Sequence, residues 1–207
     1  MTDIFHITHI RNLQNIINDG GLWCDREVSQ RNLAHVSIAH QHIKDRRAQK
    51  NVPIPPHGVV ADYVPFYFAP RSPMLYSISR GNVEGYQGGQ SEVLHLVSSA
   101  EAVLQSGLPF VFTDGHAEMS ISHFYQDLQD LDKVDWNIMR ATIWRDTNED
   151  GDRKRRRQAE FLVHEFFPFS LFDRIGVANQ TMAKKTAALL AELEEKPLIE
   201  VQPAWYY

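Results

Sequence analysis

A glutamate at the start of an apolar strand is the residue of this chain with the clearest chemical potential. Glu160 follows a run of cations and precedes Phe161-Leu162-Val163, so the predicted strand carries its carboxylate into the body of the fold. Gln158 lies two residues earlier, and period-two alternation predicts that both side chains share one face. Such a pair can orient a nucleophile and a ribose together.

Five consecutive cations precede that strand, from Arg153 to Arg157. The net charge of the chain is −5, so any contact with nucleic acid has to come from a local basic patch. Two interpretations stay open at this point. The run is either a solvated face or a patch that contacts phosphates, with Arg156 as the candidate contact.

Other residues fit the same chemistry as Glu160. A carboxylate can stabilise an oxocarbenium-like centre by binding a ribose hydroxyl. An arginine such as Arg46 or Arg47 binds a diphosphate with its fork of donors. The aromatic ring of Tyr67 can stack on a leaving ring, and His6 lies on the first predicted strand. Each residue alone has a structural explanation, but together they indicate cleavage of a glycosidic bond to a cationic leaving group.

Several classes of site are excluded by their missing patterns. Neither a dinucleotide-binding glycine motif nor a phosphate-binding loop occurs. The segment from Asp146 to Arg157 begins like a calcium loop, but its twelfth position is an arginine, which cannot ligate calcium. His40 and His42 lack the spacing of a zinc site, so we expect no metal.

The chain has one cysteine, Cys24, and its start lacks the pattern of a signal peptide. No apolar run is long enough to span a membrane. We therefore expect a cytoplasmic protein that does not contact membranes.

Short strands and helices that do not alternate strictly predict one α+β domain over residues 1–207. The polar region 25–60 is expected to be either a mobile surface loop or a binding loop that orders around a ligand. The predicted strands cover residues 4–8, 62–70, 92–97, 109–113, 158–163, 173–178 and 199–203. The main predicted helices cover residues 11–19, 37–47, 100–106, 120–134 and 182–195.

Long stretches of the chain resemble the DarT toxins, which are DNA ADP-ribosyltransferases of the DarT–DarG toxin–antitoxin system. The resemblance covers nearly all 207 residues. It is carried by Phe5-His6-Ile7-Thr8-His9-Ile10, the Ser37–Arg47 segment, the long Asp62–Tyr76 stretch, Tyr86–Gln90, Leu108–Asp114, Gln158–Val163 and the terminal Trp205-Tyr206-Tyr207.

The resemblance implies an ADP-ribosyltransferase fold with two small β-sheets around an NAD cleft and flanking helices. It implies transfer of ADP-ribose from NAD to a base in single-stranded DNA, and it is closest to the branch that modifies a ring nitrogen of thymine. A macrodomain antitoxin similar to DarG is the implied protein partner. We expect a monomer.

The site residues follow from the matched positions. Glu160 and Arg47 match the catalytic pair, and Arg47 is favoured over Arg46 by the Ser37–Arg47 segment. Because arginine hardly deprotonates, we expect Arg47 to stabilise a thymine anion rather than to act as a base. Cofactor contacts are implied for Phe5, His6, Ile7 and Leu22 and for an NAD-binding loop at about 31–49. DNA contacts are implied for Arg71, Met74 and His116, and for a substrate-presenting loop at about 116–160.

Four other functions stay open from the sequence. The acceptor could be guanine in DNA, RNA or a protein. The chain could also be an inactive module that binds NAD or nucleic acid. An assay with labelled NAD and all acceptors in parallel would discriminate them.

Overall fold

The structure is a computed structural model that describes residues 1–207 as two β-sheets with eight α-helices and short 3₁₀ segments. The strands are β1 (Asp3–His9), β2 (Gly21–Trp23), β3 (Tyr63–Tyr67), β4 (Val93–Ser99), β5 (Phe110–Thr113), β6 (Phe124–Tyr125), β7 (Glu160–His164), β8 (Phe166–Pro168), β9 (Arg174–Val177) and β10 (Leu198–Val201). The helices are α1 (Ile10–Asn18), α2 (Asp25–Gln30), α3 (Gln41–Arg47), α4 (Pro73–Ser79), α5 (Ala100–Ser106), α6 (Trp136–Arg140), α7 (Arg153–Arg156) and α8 (Gln180–Leu189).

The larger sheet is divided into two halves at its centre. Its order is β10-β9-β4-β1-β3-β7-β5-β6, and β2 pairs with β8 in a separate two-stranded sheet. Only Phe5 and Tyr67 pair between β1 and β3. By contrast, β1 follows β4 along its whole length, and β3 follows β7. The fold therefore has one large sheet, whose two four-stranded halves share a single residue pair, and one small sheet.

The inner strands of each half are buried on both faces. All seven residues of β4 are buried, as are the first four residues of β7. Strands covered on both faces are continuous apolar runs rather than alternating ones. The ring of Phe161 stacks on that of Phe110 with centroids 4.8 Å apart. This packing gives the residue at the start of β7, Glu160, a fixed support.

The helix predicted over residues 120–134 is wrong. Residues Phe124–Tyr125 form β6 against the end of β5, and Leu128–Lys133 form a 3₁₀ segment. The apolar spacing of Phe124, Leu128 and Leu131 is helical, but pairing with the edge of the sheet overrides that local preference. The expected loop at 116–160 is likewise a series of short elements.

Two other helices differ from their predictions at the ends. The helix expected from residue 37 begins only at Gln41, and the helix expected over 182–195 spans Gln180–Leu189. Asn179 caps the latter by accepting a hydrogen bond from the Met182 N–H at 3.0 Å. All seven predicted strands are present, although β3 ends at Tyr67 rather than residue 70 and β7 begins at Glu160 rather than residue 158. By contrast, β2, β6 and β8 were missed because each has only two or three residues.

None of the helices has the length and apolar character that a membrane span requires.

Candidate active site

A buried ion pair joins the end of α3 to the start of β7. Arg47 Nη1 donates a hydrogen bond of 2.7 Å to Glu160 Oε2, and the two residues are 7% and 4% exposed. Arg46 is on another face of the helix, where it is mostly exposed and pairs with Glu118. Successive helical residues point about 100° apart, so only one of the two arginines can reach the carboxylate. The structure brings Arg47 to Glu160.

The Glu160 carboxylate has a second fixed donor. Its Oε1 accepts a hydrogen bond of 3.2 Å from the Ala117 N–H. The backbone of Glu160 is held as well, since its N–H donates to Thr113 Oγ1 at 3.1 Å. Tyr67 is directly opposite Glu160 in the pairing of β3 with β7. The carboxylate therefore has one position, set by two strands, one helix and one loop.

Charge within the pair determines its protonation. Burial opposes ionisation of Glu160, but the charge of Arg47 and its hydrogen bond outweigh burial and lower the pKa of the carboxyl. Burial also opposes the charged form of Arg47, yet Glu160 raises the pKa of the guanidinium overall. Burial raises the pKa of the Tyr67 phenol, and the nearby carboxylate adds to the shift. At neutral pH the site holds a carboxylate, a guanidinium and a neutral phenol.

Glu160 faces an open cavity of about 770 Å³. That volume lies within the range of ligand pockets in proteins. Arg71, Met74 and His116, all predicted to contact DNA, line this cavity. Its rim is aromatic and basic, with the following residues among those that line it: Tyr76, Trp144, Arg145, Lys154 and Tyr207.

A narrower cavity adjoins the first and contains most of the predicted cofactor residues. His6, Ile7 and Leu22 line it, and Tyr67 and Met74 line both cavities. His6 Nδ1 lies 2.8 Å from the Pro65 carbonyl oxygen, which can only accept, so this nitrogen carries the proton. Burial lowers the pKa of His6, which keeps its ring neutral.

The Phe5 side chain does not face either of these cavities. Its ring packs edge-on against Trp205 at a centroid distance of 5.3 Å, because alternation along β1 points it away from His6. A cofactor contact at Phe5 would therefore have to come from its backbone, and it stays a prediction.

Hydrogen bonds from α1 hold the predicted NAD-binding loop at about 31–49. Asn12 Oδ1 accepts a hydrogen bond of 2.7 Å from the Val36 N–H, and Asn12 Nδ2 donates to the Val36 carbonyl at 3.0 Å. Asn15 Nδ2 donates to the Ala34 carbonyl at 2.8 Å. These anchors were missed by sequence reasoning. Asn12 alone left a signal, as a polar residue on the buried face of an amphipathic helix.

Arg156 and Arg157 of the cationic run lie in different environments. Arg156 pairs with Asp135, Asp150 and Asp152 and does not line the large cavity. Arg157 is 4% exposed and donates to the Arg71 carbonyl at 2.8 Å. The run is therefore not one solvated face. The Arg156 guanidinium already pairs with carboxylates, so a phosphate would have to compete with them.

Gln158 does not belong to the strand. It lies in the turn between α7 and β7, where its Nε2 donates to the Lys154 carbonyl at 3.0 Å. The predicted same-face pairing along a strand is wrong, although Gln158 and Glu160 do line the same cavity.

Comparison with known proteins identifies the family. A sequence model described as "ssDNA thymidine ADP-ribosyltransferase, DarT" matches residues 5–207. The chain is 45% identical over 208 residues to a DNA ADP-ribosyl transferase of Thermus sp. (strain 2.9), covering 100% of this chain and 96% of that protein.

Two solved structures have the same fold. Thermus sp. 2.9 DarT in complex with ADP-ribosylated ssDNA matches with a TM-score of 0.93 at 44% identity, covering 100% of this chain and 96% of that one. Thermus sp. 2.9 DarT in complex with NAD+ matches with a TM-score of 0.89 at 42% identity, covering 100% and 98%. The predicted fold and the predicted NAD-dependent transfer of ADP-ribose to DNA are confirmed. The chain belongs to the DarT family of ssDNA thymidine ADP-ribosyltransferases.

Proposed function

We propose that Glu160 and Arg47 are the catalytic pair with which this enzyme transfers ADP-ribose from NAD to a ring nitrogen of thymine. The observation that carries the proposal is the position of the pair. Both residues line the large cavity, which meets the narrow cavity at Tyr67 and Met74. A donor in one cavity and an acceptor in the other would meet beside the Glu160 carboxylate.

The narrow cavity suits the nicotinamide end of NAD. Its neutral histidine, His6, adds no positive charge that would repel a cationic ring.

Arg47 Nη2 is buried and has no hydrogen-bond partner in the protein. Such a donor is costly to bury unpaired, so it suits a ribose or phosphate oxygen of the substrate. The predicted diphosphate contact of Arg47 therefore has a free donor for it.

The reaction exchanges one bond at the anomeric carbon of the nicotinamide ribose. The bond to the nicotinamide nitrogen breaks, and its electron pair leaves with neutral nicotinamide. The carboxylate of Glu160 stabilises the oxocarbenium-like centre by accepting a hydrogen bond from a ribose hydroxyl. A thymine ring nitrogen gives its proton to water and becomes an anion, which Arg47 stabilises as a cation, in accord with its raised pKa. This nitrogen then forms the new bond to the anomeric carbon, which leaves the modified base neutral.

The large cavity suits one unpaired base of DNA. The Arg71 guanidinium lies over the Tyr207 ring at 4.5 Å, so that a cation and an aromatic face are presented together. Base stacking on aromatic rings and cations near the backbone are how single strands are bound without sequence readout. A single-stranded acceptor also avoids the cost of taking the base out of a duplex.

The proposal is tested with labelled NAD and five acceptors offered in parallel: single-stranded DNA with thymine, single-stranded DNA without thymine, duplex DNA, RNA and protein. We expect label only on single-stranded DNA that contains thymine. Transfer to thymine-free DNA, RNA or protein at an equal rate would overturn the choice of acceptor.

We further propose that the enzyme acts as a cytoplasmic monomeric toxin with a macrodomain antitoxin. Both cavities and the ion pair are built from one chain, so a second copy is not needed for chemistry. NAD and single-stranded DNA meet in the cytoplasm, and a bulky group on DNA bases calls for a hydrolase that removes it. Light scattering of the active protein checks that it is a monomer. Co-expression with a macrodomain hydrolase checks that such an antitoxin relieves the toxicity.

A further inference from the structure

The loop that contacts Glu160 has little regular structure of its own. Residues 114–123 connect β5 to β6 through bends and turns. This segment nevertheless supplies the Ala117 N–H to the Glu160 carboxylate and presents His116 to the large cavity. A loop that makes such contacts needs anchors outside itself, because an irregular backbone has few bonds to hold it.

Arg155 supplies several of those anchors, beside the ion pair of Arg46 with Glu118. Its Nη1 donates to Asp114 Oδ1 at 3.0 Å and to Ser122 Oγ at 3.2 Å, at the two ends of the loop. Its carbonyl oxygen accepts a hydrogen bond of 3.1 Å from the His116 N–H. A Cβ atom on Gly115 would lie 2.2 Å from Arg155 Nη1, so the guanidinium packs directly on the glycine backbone.

The guanidinium of Arg155 is not available to DNA. Its Nε and Nη2 both donate to the Asp152 carboxylate at 2.7 Å, and Nη1 is engaged with the loop. The side chain is 11% exposed and does not line the large cavity. Its charge is therefore used within the fold.

We propose that Arg155 is a positioning residue, which acts through the Asp114–Ser122 loop to hold the Ala117 N–H and His116 against Glu160. The inference rests on the proposed role of Glu160 in the reaction. Arg155, in the middle of the cationic run, thus supports the Glu160 carboxylate and is not a surface contact for DNA.

Arg155→Gln is expected to lower kcat about 10- to 100-fold and to leave KM for the oligonucleotide within about threefold, because small displacements of catalytic groups cost rates of this size. The pH profile gives a second readout. Glu160 is faced by Arg47 from α3, by His116 and Ala117 from the loop and by Tyr67 from β3. Loss of the Ala117 donor disfavours the charged carboxylate, so the acidic limb of kcat/KM for NAD shifts to higher pH.

Gly115→Ala tests the same contact from the other side, because the new methyl group displaces the guanidinium without removing it. We expect the same loss of kcat and the same shift of the acidic limb.

Arg155→Lys keeps the positive charge but not the forked guanidinium, and its kcat is expected to fall between those of wild type and Arg155→Gln. Arg174→Gln is the matched control, because Arg174 pairs with Asp3 at 2.8 Å in the far half of the sheet. Its activity should equal that of wild type.

Thermal unfolding of each variant separates a positioning effect from loss of the fold. The proposal is overturned if folded Arg155→Gln and Gly115→Ala keep the wild-type kcat and pH profile. It is also overturned if they raise only KM for the oligonucleotide, which is the mark of a DNA contact. Failure of the proposed function looks different, because Glu160→Gln would then keep activity on DNA whatever the Arg155 variants do.

Discussion

At the scale of single residues, the site depends on the ion pair between the Arg47 guanidinium and the Glu160 carboxylate. Arg47 and Glu160 are both buried, and each compensates for the other's loss of hydration. Such a pair contributes little net stability compared with apolar residues, while removing one partner is costly. The unpartnered Arg47 Nη2 fits a pair that is kept for binding and chemistry.

Adjacent arginines provide a matched test of this charge. Arg47→Gln is expected to lower kcat/KM about 100-fold or more, because it removes a preorganised cation from the reacting centre. It should also shift the acidic limb of the pH profile upward, since Arg47 keeps the pKa of Glu160 low. Arg46→Gln, which changes the mostly exposed neighbour and removes only its ion pair with Glu118, should lose much less activity than Arg47→Gln. Steady-state kinetics of the two variants check this, and equal losses would contradict it.

Some residues of the site could be predicted from the sequence by their type and position, and others could not. A carboxylate at the head of an apolar strand has few structural explanations, so Glu160 could be found. Thr113 and the Ala117 N–H could not, because a strand hydroxyl and a backbone donor carry no signal until the loop geometry is known. The cationic run misled for a related reason. Sequence shows five like charges but not the acidic residues that face three of them.

At the scale of elements, the cavities follow from the way β1 and β3 separate. These strands share one pair of residues, Phe5 and Tyr67, and the gap beside it is closed by the loop that follows α2. The strands themselves were predictable from their apolar patterns. Their order in the sheet was not, because pairing depends on contacts between residues far apart in the chain.

The loop anchor on α1 gives a test at this scale. Asn12→Ala leaves the Val36 N–H and carbonyl without their partners, so the loop becomes mobile and has to be ordered again when NAD binds. Ordering costs on the order of 1–2 kcal/mol, which corresponds to about a tenfold increase in KM for NAD. Gln14→Ala on the same helix is the control, since Gln14 bonds only to Asn18 at 3.0 Å. An unchanged KM for Asn12→Ala would show that the loop is held by other contacts.

At the scale of the whole molecule, the C-terminal segment fastens the two halves of the fold. Tyr207 Oη donates to the Arg71 carbonyl at 3.0 Å, and Tyr206 Oη lies 3.2 Å from His95 Nδ1. His95 is wholly buried on β4, where its Nε2 donates to the Pro70 carbonyl at 3.0 Å. Residues from three distant parts of the chain therefore meet around one histidine.

This histidine makes stability sensitive to acid. Burial lowers the pKa of His95 from 6.5 to about 4 in the folded protein. Between these pH values the unfolded chain binds the proton and the folded chain does not, so stability falls as the pH is lowered through this range. The contribution is at most about 3 kcal/mol.

His95→Phe should remove that part of the acid sensitivity. Urea unfolding of both proteins at several pH values between 4 and 7 measures the difference, because the other titratable groups are the same in both. We expect the free energy of unfolding to decline more steeply toward acid in wild type than in the variant. Parallel curves would show that His95 is protonated in the folded state as readily as in the unfolded one.

Mass spectrometry of a single-stranded oligonucleotide with one thymine tests the central claim most directly. After incubation with NAD, wild type is predicted to leave one ADP-ribose on that thymine, attached at a ring nitrogen. Folded Glu160→Gln, which keeps the size of the side chain without its charge, is predicted to leave none above background. An ADP-ribosylated thymine formed by Glu160→Gln at the wild-type rate, or a product on another base, would contradict the account.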